Sequence, residues 1–87
     1  QLGPDVTLFP GTILQGRTIV GEHAEIGPNT RLVDCVVGEG AIVASSVGRK
    51  AEIGYHANVG PFASLEPGSH VADGAVTGPF FIGVAVD

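Results

Sequence analysis

Between Val47 and Val76 the chain falls into sixes: VGRKAE, IGYHAN, VGPFAS, LEPGSH and VADGAV. Each hexad opens on an aliphatic residue, the second position is usually Gly, and the fifth is always Ala or Ser. A period of six is neither the 3.6 spacing of an amphipathic helix nor the plain alternation of an isolated sheet. It marks a solenoid, in which each repeat buries its apolar side against its neighbours.

Carried back to the start, the frame reads LGPDVT, LFPGTI, LQGRTI, VGEHAE and IGPNTR. The lead residues become Leu2, Leu8, Leu14, Val20, Ile26 and Leu32, followed by a five-residue step to Val37 and six to Val43. A four-residue step then reaches Val47, and the sixes resume at Ile53, Val59, Leu65, Val71 and Thr77. Small or short-branched residues fill the fifth positions: Val6, Thr12, Thr18, Ala24, Thr30, Val36, Ala41, Ala51, Ala57, Ala63, Ser69 and Ala75. Such residues belong where a narrow coil turns a corner and a large side chain would strain the packing. Gly at the second position is expected to relax the backbone at the same corner.

Proline columns set the length of a coil. Pro10 and Pro28 are 18 residues apart, as are Pro61 and Pro79. Pro28 to Pro61 is 33, two coils of 18 less the three residues lost at the short steps. A column of residues without an N–H belongs at a turn, where no ladder donor is required. Phe62 and Phe80 share the spacing of 18 and are expected to stack on adjacent coils, ~4.8 Å apart. The reading is an all-β, single-stranded parallel β-helix of about four to five triangular coils, spanning residues 1–82, with an apolar tail over 83–87. The tail is expected to cover the open end or a neighbouring subunit, because Phe81 stands where a small corner residue is due.

Composition narrows the function. The net charge is −5, with Arg17, Arg31, Arg49 and Lys50 the only cationic side chains, which disfavours a nucleic-acid surface. No apolar run approaches the ~18–20 residues of a membrane span. Cys35 is the one cysteine, so no internal disulfide forms and the cytoplasm is the default location. A repeat already in progress at residue 1, in a chain with no Met, suggests a processed chain or a piece of a longer one.

Hexads of [LIV]-G-x-x-[AST]-x resemble the left-handed parallel β-helix of the hexapeptide transferases, and the handedness expected here comes from that family. The runs FPGTILQGRTIVGEHAEIGPNTRLVDCVVGEGA and VGPFASLEPGSHV are similar to the C-terminal domain of the bacterial bifunctional N-acetylglucosamine-1-phosphate uridyltransferase/glucosamine-1-phosphate acetyltransferase. The resemblance covers about Leu8 to Gly78. It implies a homotrimer, acetyl-CoA and a sugar phosphate bound between subunits, and a uridyltransferase domain upstream. In that family the L-x-P-G turn carries an Arg that holds the sugar phosphate; here the position is Glu66. A second basic position of the family falls near Val84, and its H-L-x-Y-x-G-D catalytic element has no counterpart. The expectation is therefore a trimerisation scaffold of UDP-N-acetylglucosamine biosynthesis with no catalytic residue and no cofactor of its own. The alternative is a hexapeptide-repeat acyltransferase acting on an amino-sugar phosphate, with a site drawn from Arg49, Lys50 or His56 across an interface. A repackaged solenoid without function is a third reading.

The remaining polar residues fit plainer roles. His23 and His56 share a face two coils apart, ~10 Å, and His70 lies on another face, so no zinc site is expected. His56 has Glu52 as its nearest carboxylate in sequence and otherwise reads as a surface histidine. Arg49-Lys50 reads as a solvated turn that a phosphate could touch. Cys35 reads as a partly buried structural thiol, no cation adjoining it. Thr12, Thr18 and Thr30 fall at inward corners and so form no flat outer ice-binding array.

Overall fold

A computed structural model describes residues 2–84. Each hexad supplies two or three extended residues and a corner, and no helix occurs among the described residues. The first coil holds β1 (Thr7–Leu8), β2 (Ile13–Gln15) and β3 (Ile19–Val20). The second holds β4 (Glu25–Ile26), β5 (Arg31–Val33) and β6 (Val36–Val37). The third holds β7 (Ile42–Val43), β8 (Val47–Arg49) and β9 (Glu52–Ile53). The fourth holds β10 (Asn58–Val59), β11 (Ser64–Leu65) and β12 (His70–Val71), and β13 (Ile82–Gly83) lies in the fifth.

All pairings between these strands are parallel and join adjacent coils. They assemble a first sheet β1-β4-β7-β10, a second β2-β5-β8-β11-β13 and a third β3-β6-β9-β12. The chain is a parallel β-solenoid of about five turns, as the repeat and the left-handed family led us to expect. Pairing of β13 with β11 carries the ladder to Gly83; of the apolar tail, residues 85–87 lie outside the described residues.

Within each strand one residue points inward and its neighbour outward, so the interior is a stack of lead aliphatics. Val20, Ile26, Leu32, Val37, Val43, Ile53, Val59, Leu65 and Val71 are buried, with Ala24, Ala41, Ala51, Ala57 and Ala63 at the corners. Two positions differ from the sequence frame. Val47 is exposed, and Gly48 takes the inward place between Leu32 and Leu65. Likewise Val36 is exposed and Cys35 is the buried corner residue, with Ser46 as a further inward corner. The lost residues are therefore spread over three short steps, one in each of Leu32–Val37, Val43–Gly48 and Gly48–Ile53.

Cys35 is fully buried, not partly so, and its Sγ lies near the space a Cβ on Gly48 would occupy. Burial pushes its thiol up from the ordinary value, the negative Asp34 adding to the effect. The folded state thus holds the thiol proton more tightly than the unfolded chain does. That contribution is complete below the ordinary thiol pKa, ~8.5, and is lost as pH rises through the raised folded value. We expect native protein at pH 8 to resist a thiol-reactive dye that labels urea-unfolded chain at once. Stability should fall above pH ~9 in the wild type and less so in Cys35→Ala. Equal labelling rates in the two states would contradict the burial.

The corners follow one plan. Gly11, Asn29, Ser45, Phe62 and Phe80 form the first corner column, Gly16, Asp34, Lys50 and Gly68 the second, and Asp5, His23, Gly40, His56 and Gly74 the third; all have positive φ. From the second coil upward, the N–H of each such residue bonds to a carbonyl of the coil beneath, as in Asn29 to Pro10 O, Lys50 to Val33 O and His56 to Glu39 O. Pro10, Pro28, Pro61 and Pro79 precede the first of these columns, as their spacing required, and the third coil omits the proline. Phe62 and Phe80 stack with ring centroids 5.6 Å apart and planes 15° from parallel. Inward hydroxyls close the remaining backbone account: Thr18 Oγ1 accepts the N–H of Cys35 at 3.3 Å, and Ser46 Oγ that of Ala63 at 3.2 Å. Ser69 Oγ is buried and has no partner among the described residues.

Of the second-position glycines, Gly27 and Gly60 take the positive φ expected of a relaxed corner, but three others have a different cause. Gly21, Gly38 and Gly54 lie in register with one another and have no positive φ. A Cβ on Gly38 would stand 2.7 Å from the carbonyl carbon of Gly54 and 2.8 Å from the nitrogen of Tyr55. Close approach of consecutive coils, not backbone freedom, selects glycine there.

Candidate functional site

Register brings most of the sequence-derived candidates onto one ridge. Gly48 pairs with Leu65 and Leu65 with Gly83, so Arg49, Glu66 and Val84 follow one another up the second corner, with Val33 and Gln15 below. All three are exposed, as is Lys50, which follows Arg49 in the second column of positive-φ residues. Glu66 thus has Arg49 one rung beneath it, ~4.8 Å along the ladder. Alternation of an acid, a base and an aliphatic group leaves no convergent set of cations for a phosphate, which wants paired donors.

His56 is not part of this ridge. It lies in the third corner column, its imidazole over Gly40. Glu52, its nearest carboxylate in sequence, belongs instead to His70: Nδ1 of His70 is 3.2 Å from Glu52 Oε1 across paired rungs of β9 and β12. This pair was missed in the sequence because its members are 18 residues apart. The coil length derived from the prolines was the signal that could have found it.

His23 has company as well. Its Nε2 is 3.4 Å from Asp5 Oδ2 and its Nδ1 3.3 Å from Glu22 Oε2. The three could offer ligand atoms within 4.8 Å of one another, but all are exposed and each ring nitrogen faces a different carboxylate. That is a solvated polar cluster of small energetic weight.

A shallow trough of about 450 Å³ runs over the third sheet and third corner. Val36, Glu52 and His70, successive outward residues of β6, β9 and β12, form one wall, and Tyr55 and Asp73 line the other side. Asp73 Oδ1 accepts the N–H of Tyr55 at 2.9 Å. Sequence reasoning did not assemble this trough.

No family model matches the sequence. The chain is 52% identical over 79 residues to the bifunctional protein GlmU of Desulfitobacterium hafniense, which covers 91% of this chain and 17% of that protein. It therefore spans about one sixth of the relative's length. Among solved structures, a hexapeptide transferase family protein from Anaplasma phagocytophilum superposes with a TM-score of 0.72 at 20% identity, covering 97% of this chain and 58% of that one. The H141N mutant of perosamine N-acetyltransferase from Caulobacter crescentus, solved with CoA and GDP-perosamine, gives 0.62 at 20%, over 91% and 48%. Those two likenesses establish the fold, and the sequence identity establishes the kinship. The chain is a hexapeptide-repeat β-helix homologous to the C-terminal part of the bifunctional protein GlmU.

Proposed function

We propose that this chain is the assembly module of a GlmU-like protein: a β-helix that holds subunits together as a homotrimer and does not itself transfer acetyl groups. The observation carrying this reading is the second-corner ridge. Where the family resemblance calls for an Arg and a Lys to hold a sugar phosphate, Glu66 and Val84 stand exposed, and the adjacent cation Arg49 lies next to Glu66. An acid beside a dianion repels it, and an aliphatic side chain donates nothing. For assembly, the second sheet offers Ile13, Val47 and Ile82 as exposed outward rungs, with Arg31 and Ser64 between them, bordered by the exposed Phe62–Phe80 stack at the first corner. Exposed apolar side chains in such a column are the kind that subunit contacts use.

Sedimentation equilibrium over a range of concentrations tests the assembly, and a coupled assay of acetyl-CoA with glucosamine-1-phosphate tests the chemistry. A single trimeric species without turnover is expected. A folded monomer, or measurable acetylation by the chain alone, would overturn the proposal.

A second reading, acyl transfer from CoA thioesters to an amino-sugar phosphate, is favoured by the 52% identity running through nearly the whole chain. It is also favoured by the CoA and GDP-perosamine bound to the structurally similar perosamine N-acetyltransferase. Heat on titrating acetyl-CoA into the trimer, abolished by substituting Arg49 or Lys50, would move the assignment to this second reading.

A further inference from the structure

We infer that copies of this chain associate through unlike faces, the first sheet of one packing on the second sheet of the next, with Glu25 paired to Arg31 of the partner subunit. This rests on the assembly reading above and assigns its two contact faces. Rotation about an axis parallel to the solenoid keeps each coil at its own height. In a ring of copies, a rung of one subunit therefore faces the rung of the same coil in the next. Outward rungs of the first and second sheets match on those terms. In the second coil they are Glu25 and Arg31, of opposite charge; in the third they are Ile42 and Val47. The fourth has Asn58 and Ser64, both neutral and polar, and the fifth has Val76 and Ile82. All eight are exposed. The first coil alone, with Thr7 and Ile13, sets a polar residue against an aliphatic one.

The third sheet matches neither face. Its Val36 falls at the level of Glu25 and Arg31, and its Glu52 at that of Ile42 and Val47. A carboxylate pressed on either aliphatic rung would lose water without gaining a partner. The charges of the second coil, by contrast, are available. The Glu25 carboxylate has no hydrogen bond or ion pair among the described residues. Arg31 Nε donates to Gln15 Oε1 at 2.9 Å, which holds the guanidinium along the face and leaves its terminal nitrogens to donate. Opposite charges at one rung fix both the choice of face and the register. In either direction a slip of one coil sets Glu25 against Ile13 or Val47.

The two faces share the first corner, where the Phe62–Phe80 stack carries the two most exposed aromatic side chains among the described residues. Turned toward a threefold axis, that corner buries both rings and brings each of its faces against a neighbour. A twofold contact of the second sheet with itself is the competing arrangement. It reverses the order of rungs about Val47, sets Arg31 opposite Ser64 and leaves Glu25 without a partner.

Charge reversal followed by sedimentation equilibrium of the full chain tests the pairing. Glu25→Arg and Arg31→Glu each oppose like charges at every interface of the ring. Each should weaken association roughly fivefold per interface, ~100-fold in the trimerisation constant. The double variant restores opposite charges and should return to the wild-type constant. Glu39→Arg, exposed at the third corner, should leave association unchanged. Far-UV circular dichroism should match the wild type throughout, because every substituted side chain is exposed. A wild-type trimer that both single variants preserve would overturn the pairing of faces and leave the assembly reading standing. Singles that dissociate without rescue in the double variant would overturn the pairing as well. A wild-type monomer or dimer would overturn both readings together.

Discussion

Gly38→Ala is expected to destabilise the fold by about 3 kcal/mol or more, enough to unfold a domain of this size at moderate temperature. The methyl would lie 2.7 and 2.8 Å from backbone atoms of the coil above, at the carbonyl carbon of Gly54 and the nitrogen of Tyr55. Side chains swing away from such an overlap, but these atoms belong to the ladder. Gly38 N–H bonds to Ile53 O at 2.7 Å, and Gly54 N–H to Val71 O at 2.8 Å. Separating the coils to admit the methyl therefore breaks bonds along the third sheet. Two other glycines calibrate the result. A Cβ on Gly74 meets nothing within 4 Å, but its φ is +70°, so alanine there should cost only the left-handed conformation, about 1–2 kcal/mol. Gly78 has neither a near neighbour nor a positive φ, and Gly78→Ala should be close to neutral. Urea unfolding of the three variants checks the order. Equal midpoints for Gly38→Ala and Gly78→Ala would show that the coils can part without loss.

The architecture was legible because two periods agree in the sequence. The hexad placed aliphatics inside, and the 18-residue proline spacing closed three hexads into a coil, so that Phe62 had to meet Phe80. The frame failed where residues are missing. A four-residue step to Val47 kept an aliphatic at every lead, whereas the chain turns Val47 outward and places Gly48 inside. Hydrophobicity alone favours valine in a core. The reversal has a packing cause: Leu32 and Leu65 already lean into that space, and Cys35 completes it. A pattern of residue types cannot express the volume its neighbours have taken.

The candidate site was only partly legible for a related reason. Arg49, Glu66 and Val84 were singled out one by one through the family resemblance, but their stacking on one ridge depends on the exact register of the shortened coil. The His70–Glu52 pair and the trough beside it arise entirely from contacts 18 residues apart, with no local motif to announce them.

The inward column of the second sheet supplies the sharpest test of that packing. Leu32→Ala should destabilise by about 3–4 kcal/mol, because the side chain is fully buried in the middle of the stack and the coil above offers Gly48, which has no side chain to fill the void. Leu14→Ala, one coil below and only half-buried, should cost less. Gly48→Ala alone brings a methyl 3.2 Å from Leu32 Cδ2, a tight contact with the end of a flexible side chain, and should change stability by about 1 kcal/mol or less. In the Leu32→Ala background the same methyl enters the vacated space, and the double variant should regain about 1 kcal/mol relative to Leu32→Ala. The two substitutions are thus expected to couple favourably across the rung. Strict additivity in a double-mutant cycle of urea midpoints would mean that Leu32 does not fill the hollow at Gly48. The interior of the shortened coil would then be organised by something other than the interlocking of Leu32, Cys35 and Leu65.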